Sequence, residues 1–202
     1  MPTPLWMNAP MNYDRVRHGL RGMLLTALGK REQALAAYRD SHLADPKHVE
    51  TLRTLGWLEA QQERWGAAEA WLARAVELEP DDAPTWFNLA YARDKGGMDD
   101  AAIAAFRRAT ELNPNNDRAW YGLGMLHARH GRHRDAAAAL TEAGRLQPMN
   151  GLTWYALGMA WHHCSEPDQV TAAIEHTLAH DPQTAQQLIR DAERSDYAHR
   201  LG

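Results

Sequence analysis

Histidine is the residue type most able to do chemistry in this 202-residue chain, which holds eleven of them. His127, His130 and His133 stand three residues apart, His162 and His163 precede Cys164, and His176 and His180 are separated by one helical turn. Imidazole and thiolate groups bind zinc or nickel, and a histidine pair at i, i+4 on a helix can share one ion. Neither of the latter two groups has an obvious third and fourth ligand near it in sequence. The first three cannot share a rigid face, because the bend after His130 and Gly131 breaks the helix. They read instead as a packing residue, a helix end and a turn beyond it, and no metal site is expected. Nucleophiles fare no better. The only serines are Ser41, Ser165 and Ser195, none in a G-x-S-x-G setting. The stretch GMLLTALGK, starting at Gly22, has six residues between its glycines, no strand before it, and Arg31 where a phosphate loop needs Ser or Thr. Carboxylates are scattered as on solvated helix faces. The expectation is a chain with no catalytic residues and no cofactor.

The elements that position these side chains follow a period. Prolines fall at Pro46, Pro80, Pro114, Pro148 and Pro182, each 34 residues after the last. In the same register stand Trp86, Trp120 and Trp154, then Leu55, Leu89, Leu123 and Leu157, each followed by Gly56, Ala90, Gly124 or Gly158. Further on come Ala34, Ala68, Ala102, Ala136 and Val170, and then Tyr38, Leu72, Phe106, Leu140 and Ile174. The Trp, Leu and Gly columns, with the position three beyond Gly, lie at i, i+3, i+4 and i+7, one stripe of a helix. Small residues let paired helices approach, the large ones fill the space beside them, and glycines near 29, 97 and 131 supply the turn between helices. The segments PDDAP and PNND offer caps for the helix that follows each proline.

This pattern resembles the tetratricopeptide repeat family, whose signature W-x2-L-G-x2-Y, then A-x3-F, then P, is matched by Trp120, Leu123, Gly124, Ala136, Leu140 and Pro148. His127 and Trp161 stand where the family usually has tyrosine. The resemblance implies an all-α fold: a right-handed superhelical solenoid of helix–turn–helix units with a C-terminal capping helix. Its expected division is a tail and the start of the first helix at 1–14, repeats at 15–48, 49–82, 83–116, 117–150 and 151–184, and a cap at 185–202 with Leu188 and Ile189 turned inward. One continuous core is expected. The first unit departs from the pattern, with His18 and Arg21 in place of Trp and Leu.

One and five places after the Trp column stand Arg53/Trp57, Phe87/Tyr91, Tyr121/Met125 and Tyr155/Met159, about 100° from the core stripe. The resemblance places this face on the concave side of the solenoid, where ligands bind. Packing does not demand that it be apolar, and aromatic and methionine side chains suit adaptable contact with apolar peptide segments. Some family members grip C-terminal carboxylates with a five-residue clamp. Its positions here hold Arg53, Trp57, Asn88, Arg118 and Gly122, so two of the five polar contacts are missing. The expected site is therefore a partner-binding groove of Arg53, Trp57, Phe87, Asn88, Tyr91, Arg118, Tyr121, Met125, Arg129, Tyr155 and Met159, with the arginines adding polar or acidic contacts.

Charge narrows the partner. The net charge is −4, and residues 49–116 alone carry −5. A nucleic acid, which needs clustered cations, is not expected. No apolar run reaches membrane-spanning length and the start lacks a secretory pattern, so a cytoplasmic protein without membrane insertion is expected. The arginine-rich basic set points to a GC-rich bacterial genome. The function expected is a non-catalytic protein–protein interaction module, a scaffold, assembly factor or chaperone. The alternative is an accessory subunit of an enzyme complex whose partner carries the active site. Self-association through the proline-rich tail, with Trp6 in a neighbouring groove, is a further expectation.

Overall fold

Helix caps recur with the prolines and set where the elements begin. The structure, a computed structural model, describes residues 12–194, 196 and 197; the tail with Trp6 lies outside them. Among the described residues there are eleven helices and no strand: α1 (Tyr13–Ala27), α2 (Arg31–Ala44), α3 (Val49–Ala60), α4 (Trp65–Leu78), α5 (Ala83–Lys95), α6 (Asp99–Leu112), α7 (Asp117–Arg129), α8 (His133–Leu146), α9 (Gly151–His163), α10 (Pro167–His180) and α11 (Pro182–Asp191). His48, Asp82, Asn116 and Asn150, each two residues past a proline, accept from the backbone N–H groups of Thr51, Thr85, Ala119 and Thr153. Each bond satisfies a donor that the first turn of a helix leaves open.

Within a pair, the turn needs one residue in the left-handed region. Gly29, Gly97 and Gly131 take it at φ of 70°, 74° and 69°, and Glu63 and Ser165, in the same column, take it at 56° and 58°. The small-residue column serves close approach. A Cβ on Gly56 would lie 2.5 Å from Leu72 Cγ, and one on Gly124 2.6 Å from Leu140 Cγ. The first unit keeps this contact although it lacks the Trp and Leu: Gly22 sits under the Tyr38 ring. The tryptophans are half-buried rather than core. Trp120 and Trp154 donate their indole N–H to the carbonyls of Pro114 and Pro148 at 2.9 Å, which ties the Trp column to the Pro column.

The chain divides into two compact units after Asp81. Repeats that touch only their neighbours make such a division cheap. The first unit, α1–α4, buries Glu59 completely, against the guanidinium groups of Arg39 at 2.7 Å and of Arg64; Arg64 also reaches Glu32 at 2.9 Å. In the second unit, α11 lays Leu188 and Ile189 against Val170, Ala173 and Ile174. It starts at Pro182, three residues before the expected boundary, because Asp181 caps it through the Thr184 N–H. No helix among the described residues is long and apolar enough to cross a membrane.

Candidate binding groove

The triplet His127, His130 and His133 comes apart. His127 is buried on α7 with no partner for its Nδ1 among the described residues, and burial, then the charge of Arg132, holds its pKa below the usual imidazole value. His130 meets Asp99 Oδ2 at 2.9 Å, His133 stacks on His163 at 4.4 Å between ring centroids, and His176 lies between Trp154 and His180. Among the described residues no three His, Cys, Asp or Glu side chains converge as a metal ion requires.

The aromatic and methionine columns converge in the second unit. A cavity of about 390 Å³ is lined by Phe87 and Tyr91 of α5, Phe106 of α6, and Arg118, Tyr121, Met125 and Arg129 of α7, with Asp94 and Lys95 at its edge. A cavity of about 410 Å³ is lined by the same Tyr121 and Met125, by Tyr155 and Met159 of α9, and by Leu152 and His163. The first helices of successive repeats present these columns side by side, so α7 contributes one tyrosine and one methionine to both hollows. Phe87 meets Phe106 edge to face at 6.0 Å, and the Lys95 ammonium lies 5.6 Å from the centre of the Tyr91 ring.

The polar members divide. Arg129 is held by Asp94 and Asp99, each at 2.7 Å, which raises its pKa. Arg118 is exposed and pairs with no carboxylate among the described residues. Asn88 is exposed on α5 and lines neither cavity. Arg53 and Trp57 belong to the first unit, where Arg53 is engaged by Glu50 and Glu79 and Trp57 is half-exposed. Tyr155 also holds the cap helix. Its hydroxyl donates to Asp191 Oδ2 at 2.6 Å, anchoring α11, and its ring packs on the Ile174–Leu188 cluster. That hydrogen bond, with burial, raises the tyrosine pKa, and the same bond lowers that of Asp191.

Gly122 explains the broken clamp. A Cβ there would lie 2.6 Å from Cζ of Phe106, so the large ring in the preceding helix excludes the basic side chain a clamp needs at this column. One groove-column residue escapes the sequence pattern. Met23 stands 34 residues before Trp57 and, with Leu20, lines a hollow of about 370 Å³ in the first unit. The period alone could have found it, but the groove columns are counted from the second repeat onward, and the first repeat holds His18 in the Trp column.

Sequence profiles described as tetratricopeptide repeat match residues 25–91, 87–148 and 121–168. The chain belongs to the tetratricopeptide repeat family. No curated protein matches it significantly. Among solved structures, MamA protein is similar at 24% identity over 91% of this chain and 96% of that one, with a TM-score of 0.77. YrrB, described as a TPR protein with an unusual peptide-binding site, is similar at 18% identity over 88% and 92%, with a TM-score of 0.78. MamA residues 41 to end from Desulfovibrio magneticus RS-1 are similar at 17% identity over 84% and 98%, with a TM-score of 0.72. These likenesses show the fold.

Proposed function

We propose that the chain is a non-catalytic scaffold that binds an apolar or aromatic-containing segment of a partner protein across α5, α7 and α9. One observation carries the reading: two hollows of similar size share Tyr121 and Met125, so one extended or helical segment can seat two apolar side chains at once. Exposed apolar surface of this kind, rimmed by charge, is where proteins dock. The peptide-binding site named for YrrB supports the same use of the fold. Arg118 supplies the cation for an acidic residue of the segment, while Arg129 stays with its two aspartates.

The test is selection of peptides from a displayed library on the immobilised chain, followed by affinity measurement on the variant Tyr121→Ala with Met125→Ala. Interface aromatics commonly carry about 2 kcal/mol of binding. The double variant should therefore lose at least about tenfold in affinity, equivalent to about 1.4 kcal/mol, and keep its helical circular dichroism. Selected peptides that bind the variant as tightly as the parent chain would sink the reading.

A further inference from the structure

α1 carries a second apolar stripe that its partner helix does not use. Gly22, under Tyr38, marks the side facing α2. Away from that side Tyr13, Leu20, Met23, Leu24 and Leu28 are between 56% and 80% exposed. At about 100° per residue the five fall within an arc of about 140°, and no described element covers it. A helix apolar on both sides belongs in an interior.

The repeat register shows what this face does elsewhere. Leu24 shares its column with Leu58, Ala92, Leu126 and Ala160, none more than 2% exposed. Leu58 is buried with Ala34, Leu35 and Tyr38 of α2, the helix before it. Leu24 has no such helix among the described residues. The last repeat is finished differently: α11 covers it and turns Gln183, Gln187 and Arg190 outward, a polar surface of the kind terminal repeats need. An apolar α1 therefore finds no matching surface on α11, and a head-to-tail chain of copies is disfavoured.

We propose that the exposed face of α1 is the contact between two copies of this chain, the two α1 helices packing antiparallel about a two-fold axis beside Leu20. Tyr13, Val16, Leu20, Met23 and Ala27 follow the alternating three- and four-residue spacing of a helix–helix seam. Arg17 is the one charged side chain within the arc; it is exposed and pairs with Asp14 at 3.4 Å. The antiparallel arrangement about Leu20 keeps the two Arg17 side chains apart, and the parallel one sets like against like. At roughly 200 Å² for a large side chain, complete burial of the five would remove at most about 600 Å² per copy, or about 1,200 Å² for the pair, which reaches the lower bound for a specific interface.

The experiment uses the full chain. Light scattering after size exclusion, across a concentration series, should give twice the 22.7 kDa chain mass. Leu24→Glu with Leu28→Glu, neither of which lines a cavity described above, should halve that mass with helicity unchanged. This variant leaves Tyr121 and Met125 untouched, so loss of the dimer and loss of peptide binding are read separately. In a Cys164→Ala background, Leu20→Cys should form a disulfide-linked dimer with added oxidant, because the two-fold axis brings the residue against its own copy. A parent chain monomeric at every concentration overturns the proposal, as does a glutamate variant that keeps the dimer mass. A dimer in which Leu20→Cys fails to cross-link overturns the antiparallel arrangement.

Discussion

The turn column offers opposite outcomes from one conformational argument. Gly29, Glu63, Gly97, Gly131 and Ser165 occupy equivalent left-handed positions, 34 residues apart. A Cβ added at Gly97 or Gly131 would meet no atom within 4 Å, so an alanine there loses nothing to collision. The side chains of Glu63 and Ser165 are exposed, so a glycine there loses little packing. What remains is the backbone. The left-handed region costs an L-residue roughly 1–2 kcal/mol, and against that the freer unfolded glycine chain returns about 0.4–1 kcal/mol. Gly131→Ala should therefore destabilise by about 1 kcal/mol, whereas Glu63→Gly and Ser165→Gly should each stabilise by about 0.5–1 kcal/mol, a rare gain from introducing glycine. Urea unfolding followed by circular dichroism, with m-values compared because repeats need not unfold in one step, measures both signs. The reasoning is refuted if Glu63→Gly destabilises, or if Gly131→Ala is silent.

Three further perturbations probe buried ionisable groups. Arg39→Ala with Arg64→Ala strands the fully buried Glu59 carboxylate and should cost about 3–5 kcal/mol in urea unfolding. Glu59→Leu leaves two arginines that are 53% and 38% exposed and able to rehydrate, so it should cost less; the reverse order would contradict the account. His127 is held neutral in the fold by burial, and the unfolded imidazole binds a proton below about pH 6.5, so the unfolded state takes up more protons as pH falls through that value. Stability should drop from pH 7 towards the lower folded pKa, and His127→Tyr should flatten the slope measured by thermal melts. An unchanged slope would show that His42, His48 and His163, also shifted downward, carry the effect instead.

The period of 34 made the helix order and the caps legible, because each is a local rule repeated; the bonds from the tryptophan indoles to the proline carbonyls were not. Residues that replace the family's side chain with another solution were not legible. Glu59, Arg93, His127 and Trp161 occupy one column, where the family usually has tyrosine. Two of them are satisfied by partners of their own: two arginines for Glu59, the Ala101 carbonyl at 3.4 Å for Arg93. A column identity cannot say which partner arrives from elsewhere in the chain. The aromatic and methionine face that lines the two hollows was legible as columns. Which of its arginines is committed was not, since Asp94 and Asp99 come from two different helices to hold Arg129.

Gly122 shows how scaffold and site constrain each other. Its column holds Leu20, Thr54, Asn88, Gly122 and Ala156, so the fold tolerates several sizes there. What selects glycine in the fourth repeat is Phe106, which fills the A-x3-F column of the third and lays its ring where a Cβ would stand. The same ring forms the floor of the hollow between Phe87 and Tyr121. One bulky core choice therefore removes a polar clamp position and deepens an apolar pocket beside it. On the proposed reading, a side chain that fills the space over Phe106 is favoured over a terminal carboxylate, and Arg118, a cation on the lining of the hollow, would orient the segment and contribute modestly to its affinity.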